Sequence, residues 1–353
     1  MKTKLIIIAV AAALAPAAAM AETTNIEFYG RIHASLDSVT GNGATAGTDA
    51  KNSIAVNDNS SRFGLKGSND LGNGMKGLLQ FEAGLDGNGA GNGAALPGLR
   101  DTYIGLTGGF GTFMVGKLPA ANQYVYDSNL FADQLGDAAN LTGAGMPGRA
   151  NRALHYVAPK LGEATVALTY LPASSVESTT GSTTAGNSYG IKLGFAVDAL
   201  KINAAYFSVE ADNTVANGTI KPFSLAASYD FGQWSVSAQL VNLKNEAAVA
   251  AATTRNIYNI GGKFNVSSNG AVKAQYSHAG ERGTATKDGA NMIAIGYDHS
   301  LSKQMGMYVV YAKTTNDTSG TFSVDNWGHN SQSPLMAAGN DPQGFGVGLT
   351  YNF

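Results

Sequence analysis

Cysteine is missing from all 353 residues, which excludes a disulfide framework, thiolate metal centres and dithiol redox chemistry. Charge is scarce as well. Asp, Glu, Lys and Arg make up 14% of the chain, against about 25% in soluble domains. That is too little to clothe an ordinary soluble globule, and the net charge is too small to keep the chain disordered. A formal net charge of −2 gives no footprint for nucleic acid, and none is expected as a partner. Beyond residue 14 no apolar run approaches the roughly 20 residues of a spanning helix, so a helical membrane protein is excluded. The 5 histidines are scattered without metal-ligand spacing, and no metal site or cofactor is expected.

What is present begins with an export signal. Lys2 and Lys4 precede the apolar run Leu5 to Leu14, and Ala19-Met20-Ala21 supplies a small-x-small cleavage pattern. The pattern predicts a cleaved segment 1–21 and a single mature domain 22–353 of 332 residues, whose net charge becomes −4 when Lys2 and Lys4 leave.

Period-two alternation runs through the rest. Phe223, Leu225, Ala227, Tyr229 and Phe231 alternate with Ser224, Ala226, Ser228 and Asp230; the stretches at 164–172, 187–197 and 234–244 repeat the pattern. Sixteen strands are predicted, near 26–37, 60–69, 75–85, 99–108, 112–119, 149–158, 164–172, 187–197, 200–210, 220–230, 234–244, 254–265, 271–280, 289–299, 305–315 and 344–353. Short connections such as Asp198–Ala199 alternate with long ones such as Ser38–Asn59, Ala120–Gly148 and Asn316–Gln343. Short turns therefore gather at one end and long loops at the other, as in outer-membrane barrels. In a soluble sandwich or lipocalin the apolar faces would point inward, but a barrel of sixteen strands leaves an aqueous lumen too wide for side chains to fill. The expected fold is all-β: a 16-stranded antiparallel transmembrane barrel, apolar face to lipid and polar face to water.

The chain closes on Phe345-x-Val347-x-Leu349-x-Tyr351-x-Phe353, and its first strand is Ile26-Glu-Phe-Tyr-Gly-Arg-Ile-His-Ala-Ser-Leu36. Ser61–Gly67, Asp101–Thr112 and Asn151–Pro159 follow at matching places. In this order the motifs resemble the Gram-negative general diffusion porins, most of all their betaproteobacterial and neisserial branch. The resemblance implies a homotrimer in outer-membrane lipid and lipopolysaccharide, passing small hydrophilic solutes and ions. It also implies a C-terminal signal, Tyr351 and Phe353, for the barrel-assembly machinery. The third external loop, here Ala120–Gly148, would fold into the lumen; its Tyr124, Tyr126, Leu130, Phe131 and Leu135 suit bulk water poorly.

Parity turns Glu27, Tyr29, Arg31, His33 and Ser35 inward, with Arg62, Lys66, Gln80, Glu82, Arg149, Asn151 and His155. The resemblance implies a constriction with a basic wall set against acids on the inserted loop. By motif position the basic side is Arg31, Arg62, Lys117 and Arg149, and the acids are Asp127, Asp133 and Asp137, with Glu82 added. Around Lys117 the strand alternates poorly, because Phe113, Met114 and Val115 are consecutive.

Other motifs compete weakly. Gly143-Ala-Gly-Met-Pro-Gly148 has dinucleotide spacing but precedes a strand instead of a helix. Gly186-Asn-Ser188-Tyr-Gly190 lacks the strand–turn–helix elbow of a serine hydrolase. A barrel lipase using His278 is the enzyme alternative, and Asp86–Gly91 lacks the closing Glu of a calcium loop. The function expected is passive diffusion through a charged constriction, with no catalysis. A channel selective for an anion, sugar or amino acid is the runner-up, and a surface adhesin the third reading.

Overall fold

The computed structural model describes residues 24–45, 49, 53–85, 98–120, 128–142, 148–172, 175–176, 183–184, 186–210, 219–246, 253–283, 286–328 and 337–353. The expected signal, residues 1–21, lies outside them.

Alternating residues leave each strand's N–H and C=O groups needing a lateral partner, and here almost every strand finds it in its chain neighbours. The strands are β1 (Thr24–Asn42), β2 (Ser53–Asp58), β3 (Arg62–Gly72), β4 (Met75–Gly84), β5 (Thr102–Gly108), β6 (Gly111–Pro119), β7 (Arg149–Val157) and β8 (Ala164–Leu171). After a separate two-stranded hairpin, β9 (Ser175–Val176) and β10 (Thr183–Thr184), come β11 (Ser188–Val197), β12 (Leu200–Ser208), β13 (Thr219–Asp230) and β14 (Trp234–Glu246). The last five are β15 (Thr253–Asn265), β16 (Gly270–Ala279), β17 (Ala290–Ser300), β18 (Met305–Asn316) and β19 (Asp341–Asn352). β8 pairs with β11, and β19 returns antiparallel to β1, from Arg31 opposite Asn352 to Asn42 opposite Asp341. With β2 and β3 sharing one position beside β1, the closed sheet has 16 antiparallel staves. Closure removes every edge, the condition for placing a sheet in lipid.

The largest departure from the predicted strands is at the first loop. Its second half alternates (Ile54 and Val56 exposed, Asn57 buried) and pairs with β1, so the predicted connection 38–59 shrinks to the chain between Asn42 and Ser53. The second stave bends between β2 and β3 at Ser60, whose φ is 58°. His33 holds the bend, its carbonyl accepting from Asn59 N at 2.8 Å and its own N–H donating to Ser61 Oγ at 2.9 Å. The 19 residues of β1 span roughly 60 Å at about 3.3 Å each, so β1 stands well clear of a ~30 Å hydrocarbon core.

Burial is inverted relative to a soluble fold. Phe28, Ile104 and Ile260 are 71%, 70% and 59% exposed on the outer face, while Ser35, Gln239, Asn259 and Ser277 are buried within. The inner face is not uniformly polar, however. Phe207, Val241, Ile257 and Met292 point inward and form a cluster with Leu141 of the loop 120–148. That loop lies inside the barrel. Its Phe131 and Leu135 are fully buried against Val39, Tyr308, Val310 and Val324. Gly136 (φ 77°) makes the close approach possible, because a methyl there would overlap the Cβ atoms of Ala294 and Ala312. Val324 belongs to the connection after β18, which also bends inward; Gly136 N donates to Val324 O at 2.8 Å. Tyr124 and Tyr126 lie outside the described residues.

Candidate pore constriction

The loop is seated by polar groups on the inner face of β14 to β16. Ser128 O accepts from Asn259 Nδ2 (3.0 Å) and Ser237 Oγ (3.3 Å). Leu130 N donates to Gln275 Oε1 at 2.8 Å. Lys273 Nζ donates to Leu130 O and Gln134 Oε1, both at 2.9 Å, and pairs with Asp298 at 3.0 Å. These side chains are where period two puts them, and in the lumen they serve as a docking surface for backbone.

Across the lumen stands the basic wall. Arg31 and Arg62 are directly opposite each other in the β1–β3 register, an arrangement that like charges disfavour unless acids and water relieve it. The relief is visible. Arg31 Nη1 lies 3.4 Å from Asp133 Oδ2, and Arg62 Nε 3.9 Å from Glu82 Oε2. Arg100 Nε reaches Glu82 Oε1 at 2.5 Å, and Tyr29 OH donates to Glu82 Oε2 at 3.0 Å. Arg149 Nε pairs with Asp101 Oδ1 at 2.5 Å. Lys117 lines a space of about 430 Å³ with Arg100, Asp58, Ser60 and Gly328, and no acid pairs with it among the described residues. Its inward direction comes from a register shift between Gly116 and Leu118, opposite Arg152, whose φ is 56°. Phe113, Met114 and Val115 themselves pair in regular register with Tyr156, His155 and Leu154, so the shift falls after the apolar run.

The described acids do not form a separate opposing row. Asp133, on the loop, touches Arg31 directly. Asp137 is fully buried, so it is corrected from a pore-lining acid to an internal tie: it accepts from Asp133 N and Ala139 N, each at 2.8 Å, and from Asn129 Nδ2 at 2.5 Å. Burial pushes its carboxyl up to about 7, helped by the neighbouring Asp133 charge and opposed by those hydrogen bonds. Glu82 belongs to the basic wall rather than the side facing it, because β4 lies beside β3. Asp127 is outside the described residues. Bases and acids are thus interleaved on one wall, with the loop bearing a single described acid in contact.

Sequence reasoning missed Arg100 and Asp101. Extending the β5 alternation back from Ile104 would turn Arg100 to lipid, but the chain before Thr102 is irregular. Arg100 N instead donates to Glu82 O at 2.8 Å, which brings its side chain inside. His33 does point inward but is sealed, its Nε2 2.9 Å from Tyr308 OH.

The competing motifs gain nothing. Ser188 is buried and accepts from Glu210 N at 2.9 Å. His278, ring against Tyr258, bonds Asn291 at 2.8 Å. Asp86–Gly91 lies outside the described residues, as does most of 143–148.

Comparison with known proteins follows the same outline. The family described as Gram-negative porin matches residues 8–319. Outer membrane porin protein 32 of Delftia acidovorans is 28% identical over 371 aligned residues, covering 100% of both chains. Major outer membrane protein P.IB of Neisseria meningitidis serogroup B is 39% identical over 131 residues, 35% of this chain and 36% of that one. Among solved structures, an anion-selective porin from Comamonas acidovorans superposes with a TM-score of 0.78 at 24% identity, covering 94% of this chain and 100% of its own. OmpT of Vibrio cholerae, in a trimer form, gives 0.69 at 15% identity, covering 94% of this chain and 100% of its own.

Proposed function

This chain belongs to the Gram-negative porin family and is a diffusion channel of the outer membrane; from that premise we propose how it selects its solutes. It is a channel and not an enzyme. Selection rests on the lumen between the docked loop and the wall bearing Arg31, Arg62, Arg100, Lys117 and Arg149. One observation carries the reading: among the described residues, five bases share that lining with four acids, Glu82, Asp101, Asp133 and Asp58, and Lys117 has no described acid partner. Charge lining a water-filled constriction biases ion choice, and here the bias favours anions, in keeping with the anion-selective porin from Comamonas acidovorans. Small hydrophilic solutes pass by diffusion, oriented by the local fields.

The working form is read as a homotrimer, in keeping with the trimer form of the OmpT relative. It sits in outer-membrane lipid facing lipopolysaccharide, and Tyr351 and Phe353 serve as the assembly signal. Residues 1–21 are read as a cleaved signal, so the membrane form should begin at Glu22, which N-terminal sequencing checks.

Planar-bilayer recording tests the channel and its selection together. Stepwise conductance in groups of three is expected, with a reversal potential in a KCl gradient of the sign for chloride preference. Absence of steps would favour the adhesin reading, and a potassium-signed potential would remove the basic wall from control.

A further inference from the structure

A second polar cavity, of about 500 Å³, lies at the long-loop end of the barrel. Arg255 near the start of β15, Arg282 and Asp288 from the connection between β16 and β17, and Asn140 of the inserted loop line it. The inward-bent connection after β18 adds Phe322 and Trp327. The size suits a small molecule, and two polar groups of the lining have no partner among the described residues. The Asn140 amide is oriented by Trp327 N, which donates to Oδ1 at 2.7 Å, and this leaves Nδ2 buried with no acceptor among the described residues. Arg255 has the same defect at Nε: its Nη2 is used on Asp288, at 2.8 Å to Oδ2 and 2.9 Å to the backbone oxygen, while Nε has no partner among the described residues. Buried donors without acceptors are unfavourable and rare.

The lining itself carries two guanidinium groups and one carboxylate. Asp288 is shared between Arg255 and Arg282, whose Nε lies 2.5 Å from Oδ2. The adjacent Lys287 and Glu281 pair with each other at 3.6 Å. Arg282 has a 58% exposed side chain, and its terminal nitrogens have no hydrogen-bond partner among the described residues. Phe322 lies under the Arg255 guanidinium, 4.9 Å from ring centroid to Cζ, and the Trp327 indole shares the wall, so flat apolar surface adjoins the donors.

We propose that this outer cavity is a binding subsite for small carboxylates with a flat apolar body, aromatic monocarboxylates being the type. The carboxylate takes hydrogen bonds from Arg282 and from the unpaired donors of Asn140 and Arg255 after a small adjustment of these side chains. The ring lies against Trp327 and Phe322. The site rests on the channel reading, since it would hold such solutes at the mouth before they reach the constriction.

The chain has 2 tryptophans, and Trp234 is exposed on the outer face near a short turn. A Trp234→Phe protein therefore reports on Trp327 alone. In detergent-solubilised full-length mature protein, sodium benzoate should change Trp327 emission saturably. Acetate (no ring) and benzylamine (opposite charge) should bind at least about tenfold more weakly. Asn140→Asp keeps the acceptor for Trp327 N but turns the unpaired donor into an acceptor carrying charge; it should weaken benzoate about tenfold or more. Arg282→Gln, at an exposed side chain, is a second variant that spares the fold and should weaken benzoate in the same direction. No saturable change, equal binding of benzylamine, or benzoate affinity unaltered in both variants would overturn the subsite. Stepwise conductance of the unmodified protein in KCl is read separately. Its loss would strike the channel reading, whereas steps without benzoate binding would strike the subsite alone.

Discussion

Asp137 ties three donors of the inserted loop to one buried carboxylate, and its titration gives the loop a pH dependence. The ordinary value is 3.8 and the docked value about 7. A carboxyl raised on docking holds a proton that the free loop releases, so its contribution to docking is complete below about 3.8 and is lost as pH rises through about 7. Channel noise and open-state conductance should therefore increase from acid to neutral pH, and Asp137→Asn should flatten that step in single-channel records. Asp137→Ala, leaving three donors unsatisfied, should loosen the loop at every pH by about 1–3 kcal/mol, read as faster proteolysis within 120–148. On the wall, Arg62→Glu sets a carboxylate beside Glu82, and Arg149→Glu sets one beside Asp101. Both should move the reversal potential in a KCl gradient toward cations, and an unmoved potential would take that residue out of the constriction.

At the level of the element, the inserted loop is held by fit as much as by hydrogen bonds. Gly136→Val cannot seat against Ala294 and Ala312, and its β-branched side chain disfavours the left-handed backbone. The loop should lift from β17 and β18, with larger and less regular conductance and an unchanged barrel circular dichroism spectrum. The connection after β18 packs on the same cluster through Val324. Val324→Asp would bury an unpaired charge there and should separate the two loops, giving the same conductance change from the opposite side. The two substitutions should be less than additive, since both undo one interface.

Across the whole molecule, stability depends on which half of the alternation meets lipid. Ile260 is an outward position well inside β15. Ile260→Arg should destabilise the folded barrel by about 2–4 kcal/mol near the bilayer midplane, measurable by urea titration in lipid vesicles; Ser277→Arg on the inner face meets water and protein instead and should not follow that scale. At the seam, Phe353 N donates to Gly30 O at 3.1 Å and its ring covers Gly30. Removing Phe353 therefore takes away both a closing bond and a cover, and should reduce the yield of assembled barrel in outer-membrane fractions.

The alternation alone was enough to count the staves and to tell lipid face from lumen, because strand periodicity is local and the lipid boundary imposes it along each stave. It located Arg31, Arg62 and Arg149 on the inner wall and foresaw that Phe131 and Leu135 would leave the water. It could not follow Arg100 or Lys117, where irregular backbone or a register shift breaks the period, and it left the alternating 53–58 stretch inside the connection 38–59. Only the tertiary structure decided that Glu82 sits among the bases, that Asp137 is sealed inside the loop and that a second connection enters the lumen. Those are contacts between segments far apart in the chain, set by side-chain fit and by the pairing of buried charges, and no local pattern encodes them.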